Sequence, residues 1–362
     1  MALLPSYITC LINDAIADGL FPGCTLAIGG RFRLDAAFGR FTYAPWAPEV
    51  TPAAIYDLAS LTKPLATALA AFVLIAAGRL ELETALAAVF KDVPADKAHI
   101  TVRMLLSHSS GLPAHRLFFD RLLEVPFAER KSALLSLILD EPLEETGRLI
   151  YSDLGFMLLG LIIEKVAGMR LDEAAGALVF KPLGVNGEFF WGVSDRPSGA
   201  PLRFIPSGYC ESRRKVVCGQ VHDRNAWVVG GVAGHAGLFG TAAGVRDLLV
   251  TLLDIYKGRA TVSGLTRGML HEAFRPSLLA SYGTWALGFD TPSPEDSSAG
   301  RLFSRNSVGH LGFTGTSFWM DIDERVIVVF LSNRTFPFHT PAKQEMMKAF
   351  RARLHDAIRM WI

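Results

Sequence analysis

Residues 60–78 read SLTKPLATALAAFVLIAAG. From Pro64 to Ala77 only Thr67 is polar, and Lys63 and Arg79 bracket the run. It is shorter than the ~18–20 apolar residues a membrane-spanning helix needs, so it predicts a helix buried on all sides within a large protein. Ser60 stands where that helix begins. First-turn N–H groups have no intrahelical partners, and the helix dipole favours negative charge developing there. Lys63, one turn on, lies over the same face, within reach of the Ser60 hydroxyl. A free serine hydroxyl is a poor nucleophile, and a neighbouring basic group can accept its proton. The same pattern also describes an ordinary serine N-cap.

Outward from this helix the text changes character. Residues 6–20 predict a surface helix with Ile8, Leu11, Ile12, Ala15 and Ile16 on one face, and Pro22-Gly23 ends it. Cys24–Gly30 and Arg33–Phe38 predict a strand pair. From about 81 to 225 the reading is mostly helical. Thr101 caps a short helix that the turn Ser110-Gly111-Leu112-Pro113 closes, and Leu154–Val166 forms an apolar helix stopped by Gly168. Residues 184–225 read as loop. Strands return at Thr316–Ile322 and Arg325–Ser332 around an acidic turn, and Ala342–Ile362 is an amphipathic closing helix. One sheet built from both termini, with a helical insertion, is the expected plan.

The chain has 362 residues, half of them hydrophobic, with 36 Lys+Arg against 35 Asp+Glu and a net charge of +1. This composition excludes a disordered chain, and the near-neutral balance argues against a nucleic-acid binder. The length exceeds that at which single cores stop growing, so two lobes are expected. The expected division puts residues 1–80 and 228–362 in an α/β lobe and 81–227 in a mainly helical one. The four cysteines, Cys10, Cys24, Cys210 and Cys218, are too scattered for a disulfide framework. No Lys or Arg precedes Arg31, and Asp14 and Asp18 interrupt the apolar residues, so the pattern of an export signal is missing and a cytoplasmic location is expected.

Two further segments bear chemistry. Tyr151-Ser152-Asp153 precedes the apolar helix, and the alternative reading of Ser152 or Asp153 is an ordinary helix cap. Gly309-His310-Leu311-Gly312-Phe313-Thr314-Gly315-Thr316-Ser317 has glycines that let a ligand or a second backbone approach a strand, or that mark a bulged edge.

In this order the segments resemble the serine β-lactamase and penicillin-binding-protein family, in particular its class C β-lactamase and esterase branch, where the middle motif begins with Tyr. ITVRMLLSHSSGLP, YSDLGFMLLG, GGVAGHAGLFGTAAGVRDLL and DIDERVIVVFLSNR extend the likeness over about residues 6–360. The resemblance implies an α/β (α+β) fold of the β-lactamase/transpeptidase type, an antiparallel sheet flanked by helices beside a mainly helical lobe. It implies Ser60 as acylated nucleophile, Lys63 and Tyr151 as partners in proton transfer, and the N–H groups of Ser60 and Phe313 as an oxyanion hole. His310 and Gly312 take the first and third places of its K-T-G motif.

The departures bear on substrate. Leu311 has no hydroxyl, and His310 is largely neutral at pH 7 near the reference value of ~6.5. Asp153 stands where the lactamases usually carry Asn, and a carboxylate accepts but cannot donate. Paired with Lys63, it would keep the ammonium charged and make Tyr151 the better base. Both changes disfavour anionic β-lactams and D-Ala-D-Ala peptides and leave esters and neutral amides open. Asp153, His310, Gly312, Thr314 and Arg334 are the candidate substrate-binding residues, with Asn333-Arg334 a different anion anchor.

His222, Asp223 and His235 are of types that zinc accepts, but their spacing matches no metal motif. Hydrogen bonds that pin glycine-rich loops are expected of them, and no metal or cofactor. His108 and His115 flank a turn and are expected to be structural or exposed. The expectation is a serine hydrolase acting through an acyl-Ser60 intermediate on a small-molecule ester or amide, with no nucleic-acid or membrane partner. The alternatives are a slow-turnover penicillin-binding or sensing module and a true β-lactamase.

Overall fold

The computed structural model describes residues 4–144, 149–192, 203–276 and 283–362. Strands from both ends of the chain pair as expected. Gly23–Gly30 lies between Leu34–Gly39 and Val326–Ser332, and Ser317–Asp321 and Ser307–Leu311 follow, all antiparallel, in one five-stranded sheet. Its central register sets Ala27 opposite Val329.

Strand side chains alternate between faces, and the two cores divide on that period. Leu26, Ile28, Val328 and Phe330 meet Ile8 and Ile12 of helix Ser6–Ala17 and Phe350, Leu354 and Ile358 of helix Pro341–Trp361. Ala27, Ile327, Val329 and Leu331 face the other way, into a larger core with Val245, Leu248 and Leu252 of helix Ala242–Tyr256. Both sheet faces are therefore covered, which accounts for the near-continuous apolar text of Val326–Leu331.

The run at 59–76 is helical throughout, as a tight turn at Ala59–Leu61, a wider π-helical stretch at Lys63–Ala68 and an α-helix at Leu69–Ala76. Every residue from Leu61 to Leu74 is buried. Its length and composition would suit a membrane span, but it is the core helix of this fold, with 78% of it buried inside the protein. Helix Asp153–Ala167 packs across it. Gly168 ends that helix at φ 70°, in the left-handed region that glycine enters without steric cost.

One expectation needs correction. The 184–225 stretch is not only loop. Phe189–Trp191 joins Leu238–Gly240 and Tyr56–Asp57 in a second antiparallel sheet, and Gly208–Cys210 pairs with Lys215–Val217. Strands of two or three residues are too short to show a period of two, so the pattern was not visible. Residues 193–202 of that stretch lie outside the described residues.

Candidate active site

The chain enters the site through a strained residue. Ala59 has φ 48°, a region a non-glycine residue occupies at a cost of about 1–3 kcal/mol. Asp57 holds it there. One carboxylate oxygen accepts the Ala59 N–H at 2.9 Å and the other accepts the His222 N–H at 2.7 Å. Burial pushes the Asp57 carboxyl up to about 6 against the pull of those two donors. Ser60 follows inside the tight turn. Its side chain caps no helix, and its Oγ lies 3.1 Å from Lys63 Nζ.

Lys63 is fully buried. Its ammonium donates to Asp153 Oδ1 at 2.7 Å, to the Ser60 hydroxyl at 3.1 Å and to the His235 carbonyl at 3.3 Å. Burial is the largest influence and pulls its pKa down, but the Asp153 carboxylate and Tyr151 outweigh it and hold it above the ordinary lysine value. Burial pushes the Asp153 carboxyl up, and the Lys63 charge, with help from His115 and His235, brings it well below the usual carboxylate range. The pair is charged, the state in which such a buried bridge is satisfied.

Tyr151 stacks on Trp285, with centroids 4.9 Å apart and planes at 27°, and packs against His108 at 4.7 Å. Lys63 Nζ sits 4.8 Å from the Tyr151 ring centroid. Burial pushes its pKa up, Lys63 pulls it down, and the net direction is up, so the phenol is neutral at rest. The helix cap falls to Ser152, whose Oγ accepts the Gly155 N–H at 3.2 Å and donates to the Pro113 carbonyl at 2.7 Å. Asp153 is thereby left for the site.

The 312–316 turn is laced to the nucleophile segment. Thr314 Oγ1 donates to the Asp57 carbonyl at 2.8 Å and Thr316 Oγ1 to the Leu58 carbonyl at 3.1 Å. A Cβ on Gly312 would stand 2.0 Å from Thr316 Oγ1 and 2.8 Å from the Leu58 carbonyl, so only glycine fits this approach. Thr314, expected to bind substrate, is instead buried with its hydroxyl spent on backbone. Arg334, expected as an anion anchor, bonds the Phe313 carbonyl and His339 Nδ1, and burial lowers its pKa to about 10. It holds the carbonyl of Phe313, the residue whose own N–H is expected to donate to the oxyanion. Asn333 spends its amide on the Phe41 and Pro206 carbonyls.

His310 faces the cavity, with Nδ1 2.9 Å from the Leu311 carbonyl. That carbonyl requires a proton on Nδ1, so Nε2, buried and without a hydrogen-bond partner, presents a lone pair. Burial, then Lys63, lowers the His310 pKa to about 3, so it is neutral as expected.

Asp153 lines the cavity with both of its oxygens engaged. Its Oδ1 is taken by Lys63, and its Oδ2 lies 3.0 Å from His115 Nδ1. Residues 115 and 153 are far apart in sequence, and nothing in the text signals the contact, nor that Asp57 and Trp285 stand at the cavity. His235 and Asp223 pair at 2.9 Å, Asp223 caps helix Arg224–Val228 through the Ala226 N–H, and His222 turns to Ser207. They are loop-pinning hydrogen bonds of the kind expected. Among the described residues no group of three His, Cys, Asp or Glu side chains could hold an ion.

Ser60, Tyr151, Asp153, His310 and Phe313 open onto a cavity of about 1040 Å³. The chain belongs to the beta-lactamase family, whose sequence profile matches residues 13–350. The members of that family are serine hydrolases. A putative D-alanyl-D-alanine carboxypeptidase of Escherichia coli (strain K12) is 30% identical over 322 residues, covering 83% of this chain and 74% of that one. Among solved structures, EstCE1, a hydrolase with promiscuous acyltransferase activity, superposes with a TM-score of 0.74 at 19% identity over 96% of this chain and 98% of its own. The class C beta lactamase from Rhodobacter sphaeroides gives 0.70 at 18% identity over 97% and 99%. The β-lactamase/transpeptidase fold expected from the sequence is the fold observed.

Proposed function

We propose that this protein hydrolyses neutral esters or amides through an acyl-Ser60 intermediate. The observation that carries the reading is the contact between the Ser60 hydroxyl and a buried, charged Lys63, beside a neutral Tyr151, at the floor of an open cavity. An ammonium cannot accept a proton, so the base is the Tyr151 oxygen once the Tyr151–Lys63 unit has given one proton to solvent, its negative charge balanced by Lys63. The Ser60 proton passes to Tyr151 Oη as Oγ attacks the carbonyl, and Tyr151 then hands that proton to the leaving oxygen or nitrogen. The Ser60 and Phe313 N–H groups stabilise the tetrahedral oxyanion, with Arg334 and Asp57 fixing the two segments that carry them. Water then repeats the sequence in reverse and frees the acid.

The preference for neutral substrates is supported by the uncharged His310, the apolar Leu311 and an Arg334 already engaged. A carboxypeptidase reading draws on the name of the Escherichia coli relative, and release of D-alanine from a D-Ala-D-Ala peptide at a rate above that of p-nitrophenyl acetate would favour it. The test of the shared chemistry is a fluorophosphonate probe with peptide mass spectrometry. One adduct is expected, on Ser60, and Ser60→Ala should lose both the adduct and the steady hydrolysis of p-nitrophenyl acetate. An adduct elsewhere overturns the assignment. A single burst with no steady rate would make the protein a sensor.

A further inference from the structure

The mechanism above leaves His115 unused, yet it lies on the far side of the carboxylate that holds Lys63. Asp153 divides its two oxygens, Oδ1 to Lys63 Nζ at 2.7 Å and Oδ2 to His115 Nδ1 at 3.0 Å. The contact is built into the backbone, because the Asp153 N–H donates to the Ala114 carbonyl at 2.8 Å and so sets the adjoining His115 beside it. Side-chain exposure falls along the line, from 43% at His115 to 18% at Asp153 and zero at Lys63. A solvent-accessible imidazole is thus connected to the nucleophile through one shared carboxylate.

We propose that His115 is a positioning residue for acylation: as an imidazolium on Asp153 Oδ2 it offsets part of the carboxylate's hold on the Lys63 ammonium, and so sets the pH at which Ser60 becomes reactive. The inference rests on the Ser60 reading above. The charged groups facing His115 are Asp153, Asp223 at the start of helix Arg224–Val228, and Lys63. His235 also acts on Asp153. The neighbouring Arg116 is turned away, with Nε on Glu141 and one terminal nitrogen on the His115 carbonyl.

The direction follows from charge. The hydrogen bond to Asp153, against burial, keeps His115 protonated above its ordinary range. While His115 is charged, Asp153 acts less strongly on Lys63 and Tyr151, and their protons are held less tightly. Without that cation, Asp153 raises the proton affinity of both, and acylation requires a higher pH.

The experiment is the rate of Ser60 phosphonylation by a fluorophosphonate from pH 5 to 9. In that reaction Ser60 Oγ bonds to phosphorus, fluoride leaves, and the serine proton passes to the Tyr151–Lys63 unit. His115→Asn places an amide N–H where Nδ1 stands, which keeps the hydrogen bond and removes the charge. We expect its rate to fall about tenfold at pH 6 and to stay roughly level with the wild type at pH 9, the acid limb moving to higher pH. If His115→Asn does not fold, His115→Gln, which removes the charge without keeping the Nδ1 hydrogen bond, is read for the shift of the acid limb alone. An unmoved acid limb overturns the proposal, as does a uniform loss at every pH, which is what a merely structural residue would give. If the wild-type adduct is not on Ser60, the hydrolase reading fails instead, and the two failures are told apart by the mass of the labelled peptide.

Discussion

On the acyl-Ser60 mechanism proposed above, Asp153 holds Lys63 as an ammonium and the proton of the Ser60 hydroxyl goes to the Tyr151 oxygen. Tyr151 is in turn useful only while Lys63 keeps its transient negative charge in check. The two side chains are therefore a unit, and residues that act as a unit are non-additive in their effects on rate. Tyr151→Phe and Lys63→Ala should each lower kcat on p-nitrophenyl acetate by roughly a hundredfold or more, the scale of lost general acid–base catalysis. The double variant should be little worse than the poorer single. Losses that multiply in full would show two independent roles, and steady-state kinetics on the four proteins of the cycle decide the matter. The sequence showed these three residues because each sits in a short local pattern. It did not show His115 on Asp153, since that contact depends on where a turn delivers a side chain relative to a distant helix.

At the scale of elements, helix Asp153–Ala167 is what places Tyr151 and Asp153, and its seat is fixed by two glycines. A Cβ on Gly234 would fall 2.0 Å from the Phe156 carbonyl and 2.9 Å from the Gly160 nitrogen, backbone atoms that cannot turn aside. Gly234→Ala should therefore push the helix off the glycine-rich segment. The same segment carries the His235 carbonyl that receives Lys63 and the Gly234 carbonyl that receives the Thr67 hydroxyl. We expect a loss of about 1–3 kcal/mol, as for overpacking of a filled core, together with a fall in kcat. Gly176→Ala, a helical glycine with nothing within 4 Å of the added carbon, serves as the control and should be neutral or slightly stabilising. Equal melting temperatures for the two variants would remove the packing argument. The helix itself was legible, because Ser152 and Gly168 mark its ends and its apolar text is long. The glycine contact was not, since a glycine needed for close approach reads no differently from one in a turn. Likewise, the strands at 317–321 and 326–332 were legible from their pattern and acidic turn, whereas Tyr56–Asp57 and Phe189–Trp191 are too short to be read.

At the scale of the whole molecule, the sheet edge, the nucleophile helix and the Asp153 helix meet at one cavity, and its walls support the proposed preference for neutral substrates. A substrate carboxylate entering there meets a neutral imidazole, since burial and Lys63 hold the His310 pKa near 3, and the apolar side chain of Leu311. The cation nearest the reacting atoms, Lys63, is already neutralised by Asp153. Arg334 is spent on the Phe313 carbonyl and His339. None of these four side chains is free to repay the desolvation of an anion, and a buried polar group left without a partner is costly. Neutral p-nitrophenyl esters of short acids should therefore be turned over much faster than nitrocefin or benzylpenicillin. The triple change His310→Lys, Leu311→Thr and Asp153→Asn restores a cation, a hydroxyl and an amide donor, and it should raise kcat/KM for the β-lactams. Each recovered hydrogen bond to charge can contribute about 1.5–3 kcal/mol, or about ten- to a hundredfold. The same change frees Lys63 from its carboxylate, so the ester rate should acquire a new pH dependence as the ammonium titrates closer to neutrality. Benzylpenicillin hydrolysed by the wild type as fast as its best ester would defeat the argument. A folded triple variant that keeps its ester rate and gains nothing on β-lactams would place the preference in the shape of the cavity, with the Trp285–Tyr151 stack as the next wall to alter.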